Sequence, residues 1–218
     1  MKTSVSVLCA SLLLATAASA QLQGFSGSTD RKCTRVAYFD LSAMSSPGQY
    51  NIQYGAPEWK DDYEGMADKL KGKQARLGKD FWTTLDSSMD LTIGGQKVAA
   101  GYYYLGISRA ENGDWSLLLF PADKVQKLHG DAFVTERMKG MGTAIPLTYS
   151  KSEKKAMTMS IEFTADEKNL GNATLTLAWG NHSLTAPVVA EMKKDAAGKA
   201  KPENADGAKK GGGEHGKK

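Results

Sequence analysis

Four carboxylates stand beside aromatic rings in one stretch of this 218-residue chain, and any chemistry would start there. Asp61, Asp62 and Glu64 neighbour Trp59 and Tyr63, and Asp86 follows Trp82. Glycoside hydrolysis needs two carboxylates flanking a sugar, usually with aromatic platforms for its rings. No spacing in the chain shows two of these groups facing each other. Binding requires less. Tyr54, Trp59, Tyr63 and Trp82 offer surfaces for stacking, and Asp61, Asp62 or Asp86 offer hydrogen-bond acceptors to a glycan, a peptide or another envelope component.

Other reactive patterns are missing from the sequence. It has no Gly-x-Ser-x-Gly elbow, no His-Glu-x-x-His pair and no phosphate-cradling glycine loop. Of three histidines, His215 lies near the C-terminus, His129 near an expected helix end, and His182 in an expected Gly180-Asn181-His182 turn. Neither His129 nor His182 has a second ligand at metal spacing, so both read as surface residues, and no catalytic residue, metal or cofactor is assigned. Asn172-Ala-Thr174 and Asn181-His-Ser183 match the N-glycosylation sequon, which matters only where exported proteins are glycosylated.

The elements that must position these residues read as strands. Met89, Leu91 and Ile93 alternate with polar neighbours, and Gly94-Gly95 makes a tight turn. Tyr103, Leu105 and Ile107 alternate next, and Asn112-Gly113 turns the chain into Trp115–Phe120. Tyr102, Tyr103 and Tyr104 put phenols on both faces of one strand. Earlier strands are expected over 35–41 and 50–54, separated by Ser45-Ser46-Pro47-Gly48. Later ones cover 157–163, 173–179 and 184–188, with Pro187 pointing to a sheet edge or an early end. Residues 59–80 break the rhythm. Tyr63, Met66, Ala67 and Leu70 recur there at helical spacing, so a short helix or ordered loop is expected, and a second brief helix over 121–128 closed by Gly130. Residues 133–146 show no clean period. One-sided strands in this number bury their apolar faces by pairing two layers, which predicts an all-β single domain, an antiparallel β-sandwich or barrel-like fold with one or two short helices.

Residues 1–20 have the layout of a secretory signal: Lys2, a short apolar run, and Ala18-Ser19-Ala20 before the expected cleavage after Ala20. That run is too short to span a bilayer, so no membrane anchor is expected after cleavage, and the location predicted is secreted or periplasmic. Residues 21–34 read as a Gly/Ser-rich lead-in, 35–192 as the β-sandwich domain, and 193–218 as a disordered Lys/Gly/Ala-rich tail. Cys9 leaves with the signal, which leaves Cys33 without a disulfide partner and reads as a small buried residue. The tail carries eight Lys against Asp195, Glu203, Asp206 and Glu214, while the body is close to neutral. The formal charge of +4 therefore does not mark a folded basic surface, and no specific nucleic-acid partner is expected.

With these residues in place, the chain resembles the secreted bacterial family called domain of unknown function 2911. The matching pieces are Tyr54-Gly55-x-Pro57, Trp82-Thr-Thr-Leu-Asp86, and the hairpin Leu91-x-Ile93-Gly94-Gly95-x-Lys97-Val98-x-Ala100-Gly101-x-Tyr103-x-Leu105. Trp115 and Ala178-Trp179-Gly180 complete the likeness, which runs over 35–189. After the Trp the family often reads Arg-Thr-Gly-Ala-Asn. Here Thr83-Thr84-Leu85-Asp86 stands instead, so no role of that Arg or Asn carries over. The resemblance implies export and a β-rich single domain, and brings no reaction. Three readings follow: a non-catalytic module binding a ligand or envelope component through the 54–86 end, a carboxylate-based hydrolase at the same end, and a structural envelope or assembly protein using a sheet edge. The first asks least of the residues.

Overall fold

Strand alternation is realised almost throughout a computed structural model, in which residues 30–192 are described. The signal expected at 1–20, the lead-in through residue 29 and the tail at 193–218 lie outside the described residues. Ten strands form: β1 (Lys32–Asp40), β2 (Ser45–Gly55), β3 (Lys73–Arg76), β4 (Lys79–Ser87), β5 (Leu91–Ile93), β6 (Gln96–Val98), β7 (Gly101–Arg109), β8 (Trp115–Pro121), β9 (Thr143–Ala165) and β10 (Asn172–Ala190). Two short helices accompany them, α1 (Met66–Lys69) and α2 (Ala122–Lys127). No helix among the described residues is long and apolar enough to cross a membrane.

The strands pair in the order β1-β2-β4-β7-β8-β9-β10-β5-β6, with β3 added alongside β7. β9 makes this path a sandwich. Its first residues pair with β8, from Thr143↔Leu119 to Leu147↔Trp115. From Thr148 onward it pairs with β10. One 23-residue strand thus passes from the first layer into the second. Tyr50, Ile52, Leu85, Leu105, Leu117 and Ile145 of the first layer form one core with Leu91, Ile93, Ile161, Leu175, Leu177 and Val188 of the second. The path stays open, ending at β1 and β6. The expected all-β sandwich with short helices is the fold observed.

The three consecutive tyrosines divide between layers. Tyr103 packs on the main core and its hydroxyl donates to the Ala99 carbonyl at 2.9 Å. Tyr104 and Trp82 pack on a second, outer cluster of Leu118, Phe120, Val125 and Met138. Tyr102 is exposed.

Several boundaries differ from the sequence expectation, each for a local reason. β1 begins at Lys32, because Thr34 Oγ1 accepts a hydrogen bond from Phe163 N–H and draws those residues onto the sheet. Cys33, on the opposite face of β1 from Thr34, is exposed rather than buried. β3 and the first part of β4 lie where only loop or helix was expected. β9 starts fourteen residues before the expected 157, at Thr143. Residues 180–182 do not turn the chain. β10 continues through them with Gly180 at φ +58°. The register shifts on both sides of Gly180 because β9 carries the extra residues, running from Ser160 to Ala156 and on to Lys151 while β10 runs from Ala178 to Gly180 and on to His182. The ladder to β9 ends at Thr185↔Thr148, two residues before Pro187, which lacks a donor, and β10 then pairs with β5.

Candidate functional site

After β2 the chain leaves the first layer and runs against β9. Met159 N–H donates to Pro57 O at 2.9 Å, and Trp59 N–H to Met157 O at 2.8 Å. These bonds occupy the edge of β9 that β10 does not use, since Gly180, Ala178 and Leu177 pair with Ala156, Ser160 and Ile161 on the other side. A 3-10 turn (Asp61–Tyr63) and α1 follow. Tyr63, Met66, Ala67 and Leu70, placed at helical spacing, all line one cavity of about 720 Å³. Leu77, Ile107, Met159, Leu177 and Leu184 supply its aliphatic wall, and Trp59, Trp115 and Trp179 its remaining rings.

The rings are held by one another. Trp59 meets Trp179 edge-on, with centroids 5.1 Å apart at 80°, and Tyr63 at 6.1 Å and 84°. Tyr63 lies 5.0 Å from Trp179. Trp179 Nε1 donates to Pro57 O at 3.1 Å, fixing one indole to the segment that carries the other. Trp59 rests its benzo end on Gly180, where any side chain would collide. Lys155 Nζ stands 5.4 Å from the centroid of a Trp59 ring and 3.0 Å from Asp61 Oδ1. Asp61 is almost fully solvated, so that ion pair contributes little.

His182 belongs to this cavity, not to the surface. Its ring lies 5.8 Å from that of Trp59, and its Nδ1 is 3.1 Å from the Tyr149 hydroxyl. Tyr149 in turn stacks on Trp115 at 6.4 Å and 23°. Burial holds the imidazole below its ordinary pKa, with the nearby Glu64 charge opposing that shift. The same histidine lines a smaller neighbouring cavity of about 260 Å³ with Glu64, Asp68, Arg109, Tyr149 and Lys151. There Arg109 Nη1 donates to Asp68 Oδ1 at 2.9 Å and Ala67 O at 2.8 Å, and its guanidinium sits 5.3 Å from a Trp115 ring centroid. These bonds tether α1 to β7.

The residues singled out from sequence separate into four places. Trp59 and Tyr63 line the large cavity. Asp61 and Asp62 are exposed in the turn that carries Tyr63. Tyr54 is buried between the layers, its hydroxyl accepting Ile161 N–H at 3.0 Å, and burial pushes its phenol pKa up. Trp82 lies on the outer face of β4, 5.1 Å from Tyr104 and 6.0 Å from Phe120, and Asp86 is exposed further along that face. Sequence reasoning missed Met66, Trp115, Trp179 and His182 as cavity residues. The Ala178-Trp179-Gly180 match was the available signal, since Trp179 stands in the ring cluster and Gly180 lies under the Trp59 indole.

Among the described residues, no three His, Cys, Asp or Glu side chains are grouped to hold a metal ion. Among the described residues, Glu58 is the one acidic residue along the large cavity's wall, against Lys60, Arg76 and Lys79. The arrangement offers an apolar, ring-lined space with a basic margin. No curated protein matches the chain significantly, and no solved structure does. A family model does match, over residues 41–188, which takes in β2 through most of β10 and every residue of the ring cluster: the chain belongs to the family described as protein of unknown function (DUF2911).

Proposed function

We propose that this protein is exported and acts by binding rather than catalysis, taking a small, largely apolar ligand of the cell envelope into the cavity between α1 and the sheet. The observation that carries this reading is the cavity itself. At about 720 Å³ it falls within the range of small-molecule sites, roughly 300–1,000 Å³, and its wall is mostly aromatic and aliphatic. Hydrolysis is disfavoured by the same wall, because among the described residues Glu58 has no second acidic residue there to share a glycosidic bond with. The expected residues Trp59 and Tyr63 are retained in this site, joined by Trp179, Met66 and His182.

The test is a titration of the full chain with the fluorescent apolar probe N-phenylnaphthylamine, alongside two variants. Ala67→Trp places a large side chain in the cavity from a half-buried position on α1, and should abolish binding while leaving the circular dichroism spectrum unchanged. Asp86→Ala, on the outer face of β4, should bind as the parent does. Equal binding by all three proteins would remove the cavity as the site.

A further inference from the structure

Two buried nitrogens on this cavity have no hydrogen-bond partner: Trp59 Nε1 and His182 Nε2. Both residues line the cavity, and their rings are 5.8 Å apart. An indole N–H can only donate. For His182 the other ring nitrogen is already engaged, 3.1 Å from the Tyr149 hydroxyl. When that hydroxyl donates to Nδ1, the imidazole proton sits on Nε2, which becomes a second donor. Buried donors without acceptors are costly, and native proteins rarely keep one without a use. Here two stand together, on a wall where Lys60 and Lys79 outnumber Glu58, with the Lys155 ammonium, paired to the solvated Asp61, beside Trp59.

We infer that the cavity's ligand is an apolar carboxylic acid, its carboxylate received by Trp59 Nε1–H and His182 Nε2–H and its hydrocarbon body lying against Met66, Leu70 and Ile107. This rests on the cavity being the binding site. A carboxylate fits better than a hydroxyl because it presents two acceptor oxygens and carries the charge that the basic margin favours. It fits better than an amine because an ammonium would bring donors to donors.

Isothermal titration calorimetry of the full chain with dodecanoate, dodecanol and dodecylamine, below their micelle-forming concentrations, decides the matter. Dodecanoate should bind at least about tenfold more tightly than dodecanol, the scale of a charge-assisted hydrogen bond, with dodecylamine weakest. His182→Phe keeps an aromatic ring without the N–H, and should lower dodecanoate affinity towards that of dodecanol while leaving dodecanol unchanged. Should His182→Phe fail to fold, the comparison of the three ligands on the parent chain still decides. Equal binding of acid and alcohol, or preference for the amine, overturns the carboxylate assignment and leaves the cavity as an apolar site. Binding of none of them, together with failure of N-phenylnaphthylamine to bind, overturns both readings.

Discussion

Gly180→Ala puts the backbone of β10 and the indole of Trp59 in direct conflict. Gly180 has φ +58°, in the left-handed region, where an alanine costs about 1–2 kcal/mol from backbone sterics alone. A Cβ there would also fall 2.6 Å from Trp59 Cη2 and closer still to Cε3 and Cζ3, inside any real carbon contact. Trp59 is 5% exposed, and its ring is packed on Trp179 and His182, so it has no vacant direction except the cavity. Overpacking of this kind costs typically about 1–3 kcal/mol. The two effects together predict a loss of about 2–5 kcal/mol in urea denaturation with an unchanged slope. They can be separated. In a Trp59→Ala background the collision is gone, so Gly180→Ala should cost only the backbone part, about 1–2 kcal/mol. Gly180→Asn, which tolerates the left-handed conformation better, should remain destabilising while Trp59 is present and become nearly neutral without it. A displaced Trp59 also enters the cavity, so Gly180→Ala should weaken probe binding as well. A cost below about 0.5 kcal/mol for Gly180→Ala, or the same cost with and without Trp59, would refute the geometry from which the site is built.

Two titrations should appear in the pH dependence of stability. Tyr50 is fully buried, and that burial drives its phenol pKa far above the ordinary value near 10, aided by Tyr38. The folded state therefore keeps a proton that the unfolded chain releases, and stability should fall above about pH 10 by up to about 1.4 kcal/mol per pH unit for this group. Tyr50→Phe should flatten that limb measurably; an unaltered limb would mean Tyr50 ionises freely in the fold. His182 has the opposite sign. Burial first, then the charges of Lys151 and Arg109, lower its pKa against the pull of Glu64 and Asp68. Unfolded chains take up this proton first as pH falls through about 6.5, so stability should decline below that pH. His182→Phe should lessen the decline, and a decline of the same size in that variant would place the titration elsewhere.

Much of the fold was legible because a strand with one buried face writes its period into the chain. The hairpin of β7 and β8 reads directly from Tyr103, Leu105 and Ile107 against Leu117 and Leu119. The Gly94-Gly95 turn is where it was expected, but it leads into the short β6, which pairs with β5, and β7 pairs with β4 and β8 instead of continuing that hairpin. Where period failed, the cause is physical. The first half of β9 changes neighbours from β8 to β10 near Leu147–Thr148, so its two faces are not buried consistently and no alternation results. Residues 151–156 are mostly polar, with Asn181 Nδ2 donating to Ser152 O where a regular ladder would otherwise run. β3 is four residues long and intermediate in burial, too short for a pattern to emerge.

The candidate site was half legible for the same reason in reverse. A helical spacing of Tyr63, Met66, Ala67 and Leu70 correctly marks a common face, but periodicity says which residues share a side and not what that side meets. It meets a gap in the sandwich. Between Leu147, the last partner of β8, and Met157, the first backbone partner of Trp59, the free edge of β9 carries no neighbouring strand, and the segment from Pro57 to Leu70 crosses there instead. That crossing is tied by backbone bonds at Pro57 and Trp59 and by Arg109 at Ala67 and Asp68. Side chains alone must fill what lies between. Four elements distant in sequence therefore share one cavity, and in β10 the bare backbone of Gly180 leaves room for the Trp59 ring beside Trp179 and His182. A single sequence can announce that Gly180 is unusual, because a strand interior gains nothing from glycine. It cannot announce that the space a side chain would have taken is occupied by Trp59, more than a hundred residues earlier, and it is this exchange that makes a binding cavity out of an otherwise ordinary sandwich.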